Sequence, residues 1–260
     1  MSNIEDAMVK AKAKGLSAFS SSKDIDKSIE RSNITLMSEI TNVDDATLSS
    51  LKIISKESRE KNILNEFRAL RTTILQKINK SNACIMVCSI IPDGGASYVS
   101  INLASSIALD EEKTALLINC DYQKDASYEK LLEQKNLGLT DYLTQDISPE
   151  RIIYSTGIAR LRIIPVGQIR NDVTEYFTKQ KLVTLLEEIK YRYSDRFVII
   201  DAPSANNLAD LKLLSELSDY VIIVIPSAKV NNDEINNIVK SFDSDKFLGI
   251  VINDKQKFII

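Results

Sequence analysis

The stretch from Asn82 to Ala108, NACIMVCSIIPDGGASYVSINLASSIA, decides how the rest of the chain is read. Residues 83–89 form an apolar run of buried-strand type, Pro92 and the pair Gly94-Gly95 mark a turn, and Val99, Leu103, Ala104 and Ile107 recur at helical spacing behind it. Strand, glycine turn and helix are the frame of a phosphate-binding loop, in which backbone N–H groups and the helix dipole face an anion. The lysine that usually completes such a loop is absent, because the segment reads Gly95-Ala96-Ser97.

Outward from this stretch, apolar runs alternate with helical patterns. Strand-type runs lie at 114–118 (TALLI), 161–165 (LRIIP), 197–200 (FVII), 220–225 (YVIIVI) and 247–252 (FLGIVI), and helical patterns at 127–134, 172–193, 207–217 and 233–242. Upstream, residues 58–78 place Ile63, Leu64, Phe67, Leu70, Ile74 and Leu75 on one stripe. Near-continuous apolar strands between helices predict an α/β fold, a mostly parallel sheet with helices on both faces. Ligands of such sheets sit at the carboxyl ends of the strands. Those ends carry residues 92–97, residues 119–121 and Asp201.

Composition narrows the chemistry. The 260 residues suffice for one substantial domain plus an extension, and a net charge of −3 gives no global field toward nucleic acid or an anionic membrane. Histidine is absent, which removes Ser-His and Cys-His nucleophile pairs and the commonest metal ligand. Cys84, Cys88 and Cys120 lie in or beside apolar runs without zinc-ligand spacing, so they read as buried, reduced thiols of a cytoplasmic protein, and no metal site is expected. No run reaches the length of a membrane span, and the start lacks a signal-peptide pattern.

The N-terminal part reads as an appendage. Ser2 and Glu5 make a capping-box pattern, Lys10, Lys12 and Lys14 close a short helix before Gly15, and Ile4, Ala7, Met8 and Ala11 share its apolar face. Residues 1–15 are therefore read as an amphipathic docking helix, with Ile4, Met8 and Ala11 as partner-docking residues. Residues 16–57, rich in Ser, Asn, Asp and Lys without sustained periodicity, read as a flexible linker, and residues 58–260 as the globular domain.

In order, the chain carries EFRALRT, a loop ending in Gly-x-Ser at a helix with NLA, LLINCD, GLTDYL, VIIDAP and GIVIND. This succession resembles the bacterial tyrosine kinases of exopolysaccharide synthesis, and the opening MSNIEDAMVKAKAKG is similar to their stand-alone, exosortase-associated type. The resemblance implies a P-loop NTPase-like fold of the SIMIBI or MinD-like kind. It also implies Gly94, Gly95 and Ser97 as nucleotide-loop positions, Asp121 and Asp201 as magnesium and catalytic carboxylates, and Glu66, Arg68 and Arg71 as a ring-forming segment. In the family pattern Asn65 replaces a further glutamate, Asp93 a glycine, Gly94 a glutamate, Ala96 the lysine, Asn119 an aspartate and Asp125 a proline.

These departures predict a pseudokinase in which Asp121, Asp201, Gly94, Gly95 and Ser97 are vestigial and no cofactor is held. Losing the lysine at Ala96 while Asp93 brings a carboxylate to the loop turns attraction into repulsion, worth ~4 kcal/mol for unit charges ~4 Å apart at an effective dielectric near 20. The chain ends NDKQKFII without the tyrosine-rich tail such kinases phosphorylate, and the sequence leaves open whether Tyr98, Tyr122, Tyr128 or another surface tyrosine is a substrate of an active partner kinase. The resemblance implies a scaffold or regulator that self-associates beside a Wzz-like membrane polysaccharide co-polymerase, at the inner membrane through that partner. The alternatives are a weakly active tyrosine autokinase using ATP and magnesium, its lysine replaced by Lys124 or a neighbouring subunit, and a positioning ATPase of the MinD or ParA type.

Overall fold

The apolar runs become the strands of one sheet. In the computed structural model, which describes residues 43–56, 58, 60–78, 82–123, 126–132, 137–168, 180–227, 231–254 and 258–259, the chain enters through α1 (Asp45–Ser50) and α2 (Lys61–Lys77). It continues through β1 (Ala83–Ser89), α3 (Ala96–Ala108), β2 (Thr114–Asn119), α4 (Leu139–Thr144), β3 (Tyr154–Ser155) and β4 (Leu161–Ile164). Then follow α5 (Gln180–Arg192), β5 (Arg196–Asp201), α6 (Leu208–Leu217), β6 (Tyr220–Pro226), α7 (Asn232–Val239), β7 (Phe247–Asn253) and β8 (Phe258–Ile259). The strand order is β3-β4-β2-β5-β1-β6-β7-β8, with β3 and β8 antiparallel at the edges and every inner pair parallel.

Every residue of β1, β2 and β5 is buried, as a parallel sheet covered on both faces requires. Alternation along β1 divides the core: Ala83, Ile85 and Val87 face α2 and α3, whereas Cys84, Met86 and Cys88 face the cluster built from α5 and α6. All three cysteines are free and buried, and burial pushes the Cys84 and Cys88 thiols up to about 12.

The stretch read as a flexible linker is corrected over the part described. Asp44 caps α1 by accepting from the Thr47 N–H at 2.6 Å, and Leu48, Ile53 and Ile54 enter the core. Buried Asn102 of α3 holds this segment: its Oδ1 accepts from the Ile54 N–H at 2.8 Å and its Nδ2 donates to the Lys52 carbonyl at 3.0 Å. The segment lacks a helical period because tertiary contacts, and not an amphipathic face, bury it. Residues 16–42, and the predicted helix with Ile4, Met8 and Ala11, lie outside the described residues.

Two further readings change. The helix expected at 127–134 is a 3-10 turn, Ser127–Leu131. The expected helix at 172–193 is α5 over its described part, residues 171–179 with Phe177 lying outside it.

Candidate functional site

The loop after β1 is shaped by two close approaches. Gly94 N–H donates to the Ile91 carbonyl at 3.2 Å, Asp93 adopts φ 56°, and Gly95 adopts φ 100° as the cap of α3. A Cβ on Gly94 would stand 1.8 Å from Ser89 Oγ, and one on Gly95 1.9 Å from Asn253 Nδ2, so neither site has room for a side chain. Asn253, the last residue of β7, donates from Nδ2 to the Gly94 carbonyl at 3.1 Å and so ties the far strand to the loop.

Adjacent strand ends bring the carboxylates to the loop. Asn119 and Asp201 are register partners at the ends of β2 and β5. Asp201 is fully buried; its Oδ2 accepts from the Tyr128 hydroxyl at 2.6 Å and its Oδ1 from the Ser100 hydroxyl at 3.2 Å. Burial, reinforced by the nearby Asp121 charge, raises the Asp201 carboxyl to about 6, while the hydroxyls of Tyr128, Ser97 and Ser100 draw it down. Asn119 donates from Nδ2 to Glu129 Oε1 at 2.7 Å, and the Val166 N–H donates to the same oxygen at 3.1 Å. The Ser127–Leu131 turn therefore supplies a partner to both strand ends, Tyr128 to one and Glu129 to the other.

Above these groups lies a cleft of about 210 Å³ lined by Ser89, Asp93, Gly94, Ser97, Asp121 and Ser204 among others. Its described lining carries two carboxylates, Asp93 and Asp121, and no lysine or arginine. The hydroxyls of Ser89 and Ser204 are buried without a hydrogen-bond partner among the described residues. Beside the cleft, the Tyr122 hydroxyl donates to Asp210 Oδ2, and Asn207 Nδ2 donates to both.

The sequence candidates thus divide. Gly94, Ser97 and Asp121 line one cleft, Gly95 caps α3 between Gly94 and Ala96 without itself lining the cleft, and Asp201 is hydrogen-bonded to Ser97. Glu66, Arg68 and Arg71 sit on α2: Arg71 Nη1 donates to the Ser106 carbonyl at 2.7 Å, Arg68 is exposed and Glu66 half-buried. Of the three tyrosines named above, Tyr128 is fully buried and Tyr98 and Tyr122 are half-buried, Tyr98 packed edge-on against Phe67. Lys124 and Asp125 lie outside the described residues. Tyr128, Glu129, Ser100 and Asn253 were invisible as site residues in the sequence, since each acts through a contact between distant segments.

A parallel sheet with a glycine loop between β1 and α3 and acidic strand ends defines the P-loop NTPase fold. The chain belongs to the AAA_31 family, described as an AAA domain, whose model matches residues 92–247. Its sequence is similar to bacterial tyrosine-protein kinases: 27% identical over 210 residues to CpsD of Streptococcus agalactiae serotype III (strain NEM316), covering 79% of this chain and 89% of that protein. It is 25% identical over 194 residues to YwqD of Bacillus subtilis (strain 168), covering 74% of this chain and 81% of that protein. The kinase domain of Escherichia coli tyrosine kinase ETK shares the fold at TM-score 0.66 and 19% identity, over 85% of this chain and 91% of that one. A ParA-family ATPase from Chlorobium tepidum TLS shares it at TM-score 0.51 and 12% identity, over 66% and 73% respectively. No described helix is long and apolar enough to cross a membrane.

Proposed function

We propose that this chain is a catalytically silent relative of the bacterial tyrosine kinases, acting as a scaffold or regulator of exopolysaccharide synthesis beside a membrane polysaccharide co-polymerase. The observation that carries this reading is the charge of the cleft, where Asp93 and Asp121 line the loop and Ala96 stands where the family places its lysine. A magnesium-bound triphosphate fits such a lining poorly, because phosphoryl transfer relies on cations around the β and γ phosphates. The cleft is also smaller than the roughly 300–1,000 Å³ common for small-molecule sites. Asp201, one of the two carboxylates that the resemblance assigns to magnesium, has its oxygens engaged by Tyr128 and Ser100.

Titration calorimetry of the full chain with ATP and magnesium, paired with mass spectrometry for autophosphorylation, tests this. The expected result is no saturable binding and no phosphotyrosine; micromolar binding with turnover would overturn it. A second reading, a weakly active autokinase, draws on the buried unpartnered hydroxyls of Ser89 and Ser204, which could accept a polar guest, and the same measurement decides for it.

Self-association through Glu66, Arg68 and Arg71 and docking through Ile4, Met8 and Ala11 belong to the same proposal. Arg71 is engaged with the chain's own α3, so exposed Arg68 is the residue best placed to reach a neighbouring subunit. Arg68→Ala should shift the chain toward the monomer in size-exclusion chromatography without lowering its stability. Deleting residues 1–15 should weaken recovery of the cognate co-polymerase in a pull-down.

A further inference from the structure

We infer that the cleft at the head of α3 holds a neutral polyhydroxyl ligand, a single monosaccharide unit, in place of a nucleotide. Two buried hydroxyls call for a guest. Ser89, the last residue of β1, is 3% exposed and Ser204 is 8% exposed; both line the cleft, and neither Oγ has a hydrogen-bond partner among the described residues. Ser204 stands at the N-cap of the short turn Ala205–Asn207, where a serine ordinarily turns its oxygen onto the turn's own N–H groups, and it makes no such bond. A buried polar group left unpaired costs free energy, and at the carboxyl ends of parallel strands a bound molecule is the usual partner.

The charges of the lining select the guest. Asp93 and Asp121 repel a phosphate or a carboxylate, and the described lining holds no lysine or arginine to offset them. A cation meets the opposite obstacle, because the cleft ends on Ala96 and Ser97 in the first turn of α3, whose N–H groups carry the positive end of the helix dipole. Asp121 Oδ1 already accepts from the Gln123 N–H at 3.2 Å. Carboxylates, free hydroxyls and N–H groups are satisfied together by a neutral molecule whose hydroxyls each donate and accept. Ile91 and Pro92 add apolar surface for the C–H face of a sugar ring. About 210 Å³ gives room for one ring and is too small for a sugar nucleotide, being below the roughly 300–1,000 Å³ of drug-sized sites.

Because this site rests on the reading that the cleft does not take ATP, the two are measured separately on the full chain. Saturation-transfer-difference NMR uses glucose, galactose, mannose and N-acetylglucosamine as neutral probes, and glucosamine and a hexose phosphate as cationic and anionic ones. The expected result is saturable binding of at least one neutral sugar at about 1–10 mM, as suits so small a ligand, and at least about tenfold tighter than either charged probe. Ser204→Ala should weaken that binding about threefold to tenfold. Since the Ser204 Oγ bonds nothing among the described residues, the same variant should leave urea unfolding without sugar unchanged. Absence of saturation by every neutral sugar at several times that concentration, equal or tighter binding of a charged probe, or wild-type sugar binding by Ser204→Ala overturns the site. Calorimetry with magnesium-ATP on sugar-free protein tests the reading beneath it. If neither sugar nor ATP binds, the silent reading stands and the sugar site falls; ATP binding with turnover overturns the silent reading, whatever the sugars do.

Discussion

Tyr128 donates its hydroxyl to Oδ2 of Asp201 across 2.6 Å, with both side chains fully buried. The bond joins a 3-10 turn after β2 to the carboxyl end of β5, and it makes the central acidic residue of the fold part of the core. Removing the donor leaves a buried carboxylate short of one bond, a loss of about 1–3 kcal/mol. Tyr128→Phe should lower unfolding stability by that amount in urea titrations, and a neutral result would mean the bond contributes nothing net.

Asp201 also makes stability depend on pH in an unusual direction. Its carboxyl is raised from 3.8 to about 6 by burial, so between those values the folded chain holds a proton that the unfolded chain has released. The contribution is present at low pH, declines as pH rises through that window and is lost above it, on the order of 3 kcal/mol in all. Asp201→Asn cannot ionise and should gain on the wild type across the window. Other acids, such as partly exposed Asp110 with its lowered carboxyl, cancel in the difference. Denaturant titrations at stepped pH check this, and a constant offset between the two proteins would refute it.

Gly95 is constrained twice, by φ 100° and by the Asn253 amide where a Cβ would stand. Gly95→Ala should destabilise by about 1–3 kcal/mol. In the double variant with Asn253→Ala the steric part should vanish and the backbone part remain, so the two losses should fall short of additivity. Urea unfolding of the two single variants and the double variant provides the cycle.

The electrostatic reading of the cleft can be reversed by substitution. Asp93→Gly with Ala96→Lys removes one carboxylate and adds one cation where phosphate would lie. With charge interactions of a few kcal/mol at stake, affinity for magnesium-ATP should rise at least about tenfold by calorimetry. Phosphotyrosine should still not form while Asn119 remains bound to Glu129. A variant that binds no better would place the obstacle in the shape of the loop.

The entry segment is part of the core. Ile54→Ala removes a side chain only 4% exposed and should cost about 2–5 kcal/mol in denaturant unfolding. A true linker residue at this position would change stability by a few tenths at most.

Much of the sheet was legible because parallel strands must be apolar on both faces. The runs ACIMVCS and YVIIVI could be little else, and they are β1 and the body of β6. The short edge strands β3 and β8 were not legible, since two residues carry no periodicity. Residues 43–56 misled because Leu48, Ile53 and Ile54 are spaced to meet α3 and follow no regular stripe. At the site, the loop and acidic positions showed in the sequence through their glycines and strand ends. What engages them did not: Glu129 reaches Asn119 from ten residues away, and Tyr128 reaches Asp201 from 73. Such pairings exist only once the chain has folded.

The Asn253 amide on the Gly94 carbonyl spans 159 residues of sequence. A ribosome emits the chain from its N-terminus, so the glycine loop leaves the exit tunnel long before the strand that clasps it. Contacts of such separation are entropically the last to close. Until β7 docks beside β6, Gly94 and Gly95 have their freedom without their restraint, and the loop reaches its final form only once the chain as far as Asn253 has left the tunnel.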